Sequence, residues 1–440
     1  MLTIVRLERA RGMARIVIIG AGSGFGGKLS IDILSREPLR DSTLALCDVD
    51  AGRLAAVARY VRRAVEAHRL PAKIVSSTDR RRLLGGADFV VTSVSVGGAA
   101  YWGNPYAWEI QIPARYGVDQ SVGDTVGPGG VFRFLRTGPV QLGFCKDMEK
   151  YCPDALLLNY TNPMAMLTWL HSAGSRVRNV GLCHSVQWTI HEIGGYLGLA
   201  PEELDHWIAG INHQAWILRL RHKGEDAYPL LRKAMETPEV YAKDRIRFEM
   251  MRQFGYFVTE SSHHNSEYVP YFRRTQELRD RYELKSREVR MEPGGPRPWA
   301  KEAEGETAVP ELKRSNEYAS GIIEAAVTGT PLRFNGNVMN AGLITNLPEG
   351  CCVEVPCLVD REGVHPCHVG ALPPQLAAVN RSNVAVQELA VRAVLARDRE
   401  AAFHAVALDP LTAAVLPLDR IREMFEELWA AEKHLLAWFD

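Results

Sequence analysis

The sequence predicts an α/β protein: a doubly wound parallel sheet domain followed by a second, mixed α+β domain rich in helices. Three observations carry this reading. RIVIIGAGSGFGG, residues 15–27, is a short apolar run that ends in glycines and opens a helix. Short apolar runs and helix-spaced segments then alternate through about the first 200 residues, as parallel strands covered by helices on both faces require. The chain has 440 residues, enough for two domains of ordinary size. The first domain, residues 1–195, is Rossmann-like, with residues 1–12 as an extension and Met13 as a candidate start. The second spans residues 196–440.

The elements follow in order. ARIVIIGAG is the first strand. GGKLSIDILSREP has helical spacing and stops at Pro38, because a proline ring clashes with a continuing helix. STLALCDVD is the second strand and AGRLAAVARYVRRAVEAHRL the next helix. ADFVVTSVSVGG, PDALLLNYTNP and NVGLCHS are further buried strands. Beyond them the pattern is less regular. DRIRFEMMRQFGYFVTESS reads as a helix running into a loop. Residues 292–310, rich in Pro, Gly and Glu, read as a polar loop. VQELAVRAVLARDREAAFHAVALDP and IREMFEELWAAEKHLLAWF are amphipathic helices.

Composition excludes several classes. Lys+Arg and Asp+Glu number 52 each, so no net field draws nucleic acid or an anionic membrane. The most basic stretch, RDRYELKSREVRM at 279–291, reads as a solvated charged segment. No apolar run has the length of a membrane span, and the N-terminus lacks the features of a signal peptide. The eight cysteines are scattered without a CxxC pair, so neither a four-cysteine zinc site nor a disulfide framework is expected. A cytoplasmic protein with reduced thiols is the expectation.

A strand that ends in glycines offers free backbone N–H groups to a diphosphate at the following helix start. Gly20 and Gly22 fit the first two places of Gly-x-Gly-x-x-Gly, but Phe25 stands at the third. Gly22-x-Gly24-x-x-Gly27 satisfies the spacing two residues later. Ser23 lies within the same turn. Asp48, at the tip of the next strand, suits a ribose diol and repels a 2′-phosphate, so NAD is favoured over NADP. A second pattern begins at Cys183, at the end of the strand NVGLC, where open α/β sheets bind ligands. His213 follows in AGINHQAW. A thiolate and an imidazole together can hold a divalent ion.

These segments have a family likeness. IVIIGAGS, SVGDTVGPGGVFRFLRT, CPDALLLNYTNPMAMLTW, VGLCHSVQ, AGINHQAW, GYFVTESS, NLPEGCCVEVPCLVD and DPLTAAVL run nearly end to end. The chain resembles glycoside hydrolase family 4, the NAD- and manganese-dependent glycosidases, and within it the bacterial α-galactosidases, or melibiases. The resemblance implies that Cys183 and His213 bind the metal, Mn²⁺ or another divalent transition ion. It also implies that Asn162 contacts the sugar and that His184 protonates the leaving oxygen. Asp124 and Arg136 are further candidates for the substrate side, with Arg133 beside them. The base that removes the C2 proton is expected at Glu260 or His264. Some family members use a tyrosine in the segment matching GYFVTESSHHNSEY, others an aspartate. YWGNPYAW departs from the melibiase pattern, and Trp102 or Trp108 can line the sugar site or pack in the core.

Most glycosidases work with two carboxylates, and the resemblance implies a different route. C3 of the sugar is oxidised by NAD, C1–C2 elimination follows, water adds, and the sugar is reduced again. The implied substrate is a small α-galactoside of the melibiose type, with neither nucleic acid nor membrane as partner. α-Galacturonidase, α-glucosidase or α-glucuronidase activity stands as the alternative, and an NAD-dependent hydroxy-acid dehydrogenase as a distant one. A homodimer or homotetramer is the expected assembly.

Overall fold

The computed structural model describes residues 13–291 and 310–440. The N-terminal extension and nearly all of the predicted polar loop lie outside the described residues. Six strands form the first half of the sheet: β1 (Arg15–Ile19), β2 (Thr43–Cys47), β3 (Lys73–Ser77), β4 (Phe89–Thr92), β5 (Leu156–Asn159) and β6 (Arg178–Gly181). They are parallel and lie in the order β3-β2-β1-β4-β5-β6. The order reverses between β1 and β4. That reversal opens a crevice at the carboxyl ends of the strands. Strands β1, β2 and β4 are apolar nearly throughout because helices cover both of their faces. β3 is the exposed edge, and its sequence KIVSS has no apolar run to announce it.

The sheet does not stop at the predicted domain boundary. It continues through β7 (Leu204–Ile211), β8 (Gln214–His222), β9 (Glu225–Asp226), β10 (Leu332–Met339), β11 (Cys352–Asp360) and β12 (Gly363–Pro366). Asn337 of β10 pairs antiparallel with Gly181 of β6, and the order runs on as β10-β11-β7-β8-β9, with β12 on the side of β11. Among the described residues one sheet of twelve strands thus joins both regions. These later strands are antiparallel, so the fold is a mixed sheet rather than a parallel one extended.

Helices Gly26–Ser35, Ala51–Ala67 and Tyr318–Thr328 contribute to one large core against the sheet. On the other side, helix Gly127–Tyr151 packs with Met164–Gly174 and the C-terminal helices Pro374–Ala396, Arg399–Ala407 and Leu418–Glu432. Trp108 packs against this second core, edge-on to His434 with centroids 6.0 Å apart, so it has a structural place away from the crevice. Trp102 instead lines the crevice. Among the described residues no helix is long and apolar enough to cross a membrane. All eight cysteines are free thiols.

Asp409 ties the C-terminal helices to the helix that starts at Gly127. Its carboxylate accepts hydrogen bonds from Thr412 N (2.9 Å), Thr412 Oγ1 (2.7 Å) and Gly127 N (3.1 Å). Burial pushes this group up to about 6 from the usual 3.8, although all three donors oppose the shift. A raised carboxylate contributes stability below its unfolded pKa, and that contribution disappears as the pH rises through the folded one. Asp409→Asn does not titrate. The variant is therefore expected to gain about 1 kcal/mol relative to wild type between pH 5 and pH 7.5. Denaturant midpoints at the two pH values measure this, and a gap that does not change with pH refutes it.

Candidate active site

The crevice between β1 and β4 is built for close backbone approach. Gly20 has φ +89°, and a Cβ there would stand 2.0 Å from the Ser93 carbonyl oxygen. The helix begins at Gly26, where a Cβ would meet the Ala21 carbonyl oxygen at 2.2 Å. Gly26 therefore takes the close-packing role that the spacing template assigned to Phe25 or Gly27. Gly22 N donates to Asp48 Oδ2 at 2.9 Å, so the acid at the tip of β2 faces the glycine turn. The cavity above them measures about 920 Å³, and Gly20, Gly22, Ser23, Gly24 and Asp48 line it. The hydroxyls of Ser23 and Ser95 are buried at this cavity without a hydrogen-bond partner. Unpaired polar atoms in a deep cleft suit a polar ligand.

The second half of the site begins past β6. The strand ends at Gly181, and Cys183 follows in the short link before helix Ser185–Leu197. His213 occupies a two-residue turn, because Ile211 of β7 pairs with Gln214 of β8. The turn forces His213 to φ +60°. Glu260 also has a left-handed backbone, at φ +74°. Such conformations cost on the order of 1 kcal/mol or more for a side-chain-bearing residue, and they cluster at ligand sites. Here they turn two side chains toward Cys183. Sγ lies 3.2 Å from His213 Nε2, which lies 3.6 Å from Glu260 Oε2. The ligand atoms of all three residues fall within 4.8 Å of one another.

Charge at this cluster is unbalanced. Burial pushes the Cys183 thiol far above its ordinary range, and Glu354 and Glu260 push it further. Burial also pushes Glu354, on β11, up to about 7, although His213 and Asn212 oppose the shift. Burial opposes the ionisation of Glu260, but His213 and His264 outweigh it and hold that carboxyl below its usual range. A thiol and two carboxylates thus share one buried space. A divalent cation neutralises such a group and replaces the thiol proton.

Around the cluster runs a hydrogen-bonded chain. His264 Nε2 lies 3.1 Å from His213 Nδ1, and His264 Nδ1 lies 3.2 Å from Glu267 Oε2. Glu267 in turn accepts from Val122 N at 2.6 Å and Gly123 N at 3.1 Å. Asp124 accepts from Asn162 Nδ2 at 3.1 Å, Tyr101 Oη at 3.0 Å and Thr125 Oγ1 at 2.7 Å. Its Oδ1 is 4.0 Å from His264 Nε2. Burial raises the cost of charging Asp124, yet Arg133, His264 and Thr125 hold it well below the usual carboxylate range. Cys183, His213, Glu260, His264, Asp124 and Asn162 are therefore joined in one cluster.

Two sequence candidates stand apart from it. His184 lies at its edge, with a side chain 65% exposed. Arg136 is buried, and its Nε donates to Glu109 at 2.7 Å, with Glu432 at 3.8 Å. Another of its nitrogens donates to the Val96 carbonyl. These partners make Arg136 an internal tie between helices and the crevice-lining segment at Val96, with Nη2 buried and unpartnered. Arg133 is the arginine coupled to Asp124, with Nη1 on the Ala100 carbonyl at 3.1 Å.

Glu354 joins the cluster without having been singled out in the sequence, and Tyr268 is the tyrosine that ends GYFVTESSHHNSEY, the segment in which Glu260 and His264 were expected. The Tyr268 ring packs edge-on against His264 at 5.3 Å, and its buried hydroxyl has no hydrogen-bond partner. The trace of Glu354 in the sequence is a single acid inside the apolar run CCVEVPCLV.

Comparisons with known proteins agree with this architecture. Residues 15–199 match the model of the family 4 glycosyl hydrolases, and residues 208–412 match that of the family 4 glycosyl hydrolase C-terminal domain. The chain is 41% identical to an alpha-galactosidase of Bacillus subtilis (strain 168), over 95% of this chain and 98% of the relative. It is 39% identical to an alpha-galactosidase of Rhizobium meliloti (strain 1021), over 95% of this chain and 88% of that one. In fold it is similar to the 6-phospho-beta glucosidase of Thermotoga maritima solved with manganese, NAD⁺ and glucose-6-phosphate. The TM-score is 0.78 at 22% identity, over 96% of this chain and 98% of that one. With both halves matched and full-length relatives above 30% identity, the chain belongs to the family 4 glycosyl hydrolases.

Proposed function

We propose that this glycoside hydrolase cleaves α-galactosides, with NAD in the crevice between β1 and β4 and a divalent ion such as Mn²⁺ beside it. The observation that carries the reading is the Cys183–His213–Glu260 group, set past the carboxyl end of β6 in the sheet that carries the nucleotide crevice. The near full-length likeness to two alpha-galactosidases supports the sugar. When bound, the cofactor supplies reversible oxidation at C3 and the metal a Lewis acid for the neighbouring oxygens.

The remaining work falls to side chains. Asp48 accepts hydrogen bonds from the ribose diol, and the glycine turn and Ser23 face the diphosphate. Cys183, His213 and Glu260 hold the ion. Asn162 and Asp124, already hydrogen-bonded to each other, contact sugar hydroxyls. His184 gives a proton to the departing oxygen. The C2 proton goes to Tyr268. Both ring nitrogens of His264 already have partners, and Glu260 belongs with the metal donors. That leaves the unpartnered Tyr268 hydroxyl as the proton acceptor. Burial pushes its phenol up, as do Asp124, Glu260 and Glu267. A divalent ion held by Cys183, His213 and Glu260 would counter them.

A panel of nitrophenyl α-glycosides, assayed with NAD⁺, Mn²⁺ and a reductant, tests the proposal. Cleavage of the α-galactoside without net NADH, abolished by a chelator, is the expected result. Preference for the galacturonide, glucoside or glucuronide changes the sugar and keeps the chemistry. Cleavage of no member, or NADH formed in step with turnover, refutes the glycosidase reading.

A further inference from the structure

His184 is the proposed participant that the buried cluster does not hold. Its ring is mostly exposed, and an exposed imidazole is free to turn between rotamers. A proton donor that turns freely is seldom aimed at one oxygen, and orientation is a large part of what such a donor contributes. One described carboxylate lies within ion-pair distance: Glu317 Oε1 is 3.7 Å from His184 Nδ1.

Glu317 is itself well held. It stands immediately before helix Tyr318–Thr328, and its backbone N–H donates to Ser315 Oγ at 3.2 Å. Its side chain is 20% exposed, and Oε2 is buried. Two residues on, Ala319 N donates to the Tyr160 hydroxyl at 3.0 Å. Tyr160 belongs to the same NYTNP segment as Asn162, and its ring lies 4.7 Å from that of Phe25 beside the glycine turn. Burial pushes the Glu317 carboxyl up, and His184 pulls it back. The side chain makes no helix-capping hydrogen bond; besides His184, it interacts with the Tyr160 hydroxyl.

We propose that Glu317 is the positioning residue for His184, its carboxylate holding Nδ1 so that Nε2 is aimed at the glycosidic oxygen. This rests on the α-galactosidase reading above. As the C1–O bond breaks, its electron pair goes to the leaving oxygen, which takes the Nε2 proton. The imidazolium becomes a neutral imidazole that keeps Nδ1–H toward Glu317. Water adding at C1 later returns a proton to Nε2. A departing group that is stable as an anion needs no such proton, whereas a sugar alkoxide does.

Leaving-group dependence tests this. Wild type and Glu317→Gln are assayed with NAD⁺, Mn²⁺ and reductant on 2,4-dinitrophenyl α-galactoside and on melibiose. The variant is expected to match wild type within about twofold on the dinitrophenyl substrate and to lose roughly 10- to 100-fold on melibiose, mainly in kcat. In a His184→Ala background, adding Glu317→Gln is expected to cost nothing further, because the carboxylate acts through the ring. Equal losses on both substrates, no loss on melibiose, or losses that add in the double variant overturn the proposal. If wild type cleaves neither galactoside, the underlying function fails instead.

Discussion

Cys183→Ala is expected to lower kcat by roughly 10³-fold or more, with NAD⁺ binding unchanged. The thiol is one of three donors whose ligand atoms lie within 4.8 Å of one another. Without it, His213 and Glu260 offer an incomplete grip, and the buried carboxylates lose the cation that offsets them. Even the groups that merely support metal ligands typically cost 10- to 100-fold when removed, so a lost donor costs more. The nucleotide crevice is built from a different segment, with Gly20, Gly22 and Asp48 as its floor. Titration calorimetry with Mn²⁺ and with NAD⁺ separates the two sites. A variant that binds Mn²⁺ as wild type does, or that keeps a tenth of the activity, contradicts the assignment.

Tyr268→Phe is expected to reduce kcat by about 10²- to 10⁴-fold, the usual range for a lost general base, with little change in KM. Exchange of the substrate C2 proton with solvent deuterium is expected to fall in parallel. Stability is expected to hold, because the buried hydroxyl has no hydrogen-bond partner to leave behind. His264 substitutions behave differently on this view. They break the links to His213 and Glu267 and so disturb the metal site as well. If Tyr268→Phe keeps full activity and C2 exchange, the base returns to Glu260 or His264.

Much of this site is legible as linear sequence, but unevenly. The glycine turn and Asp48 belong to consecutive strand–turn–helix segments, so their relation follows from local spacing. Even there, spacing pointed to Phe25 or Gly27 where packing selects Gly26. That choice depends on how closely the helix approaches Ala21, which no residue count contains. Arg136 shows what spacing leaves out: its ion pairs with Glu109 and Glu432 come from distant helices and appear only once they pack around it.

The strands divide in the same way. β1, β2 and β4 are buried on both faces, so their apolar runs alone make them readable. β3 lies at an edge, and a half-exposed five-residue strand carries little hydrophobic signal. β10 and β11 join a sheet begun far upstream, and no local pattern specifies that Asn337 meets Gly181.

Linear order and composition were sufficient for the fold class and the glycine turn, and to name Cys183 and His213 as candidates, because each rests on local periodicity or on a recognisable segment. The three-dimensional chain alone placed Glu260 beside Cys183 and His213, left the Tyr268 hydroxyl unpartnered and set Glu317 beside His184. Glu260 and Tyr268 come from one loop-and-turn segment and Glu317 from a distant helix start, while the Cys183 and His184 they meet lie far upstream. The physical reason is that a buried site is defined by which side chains lose water together, and that is settled by the closing of the sheet.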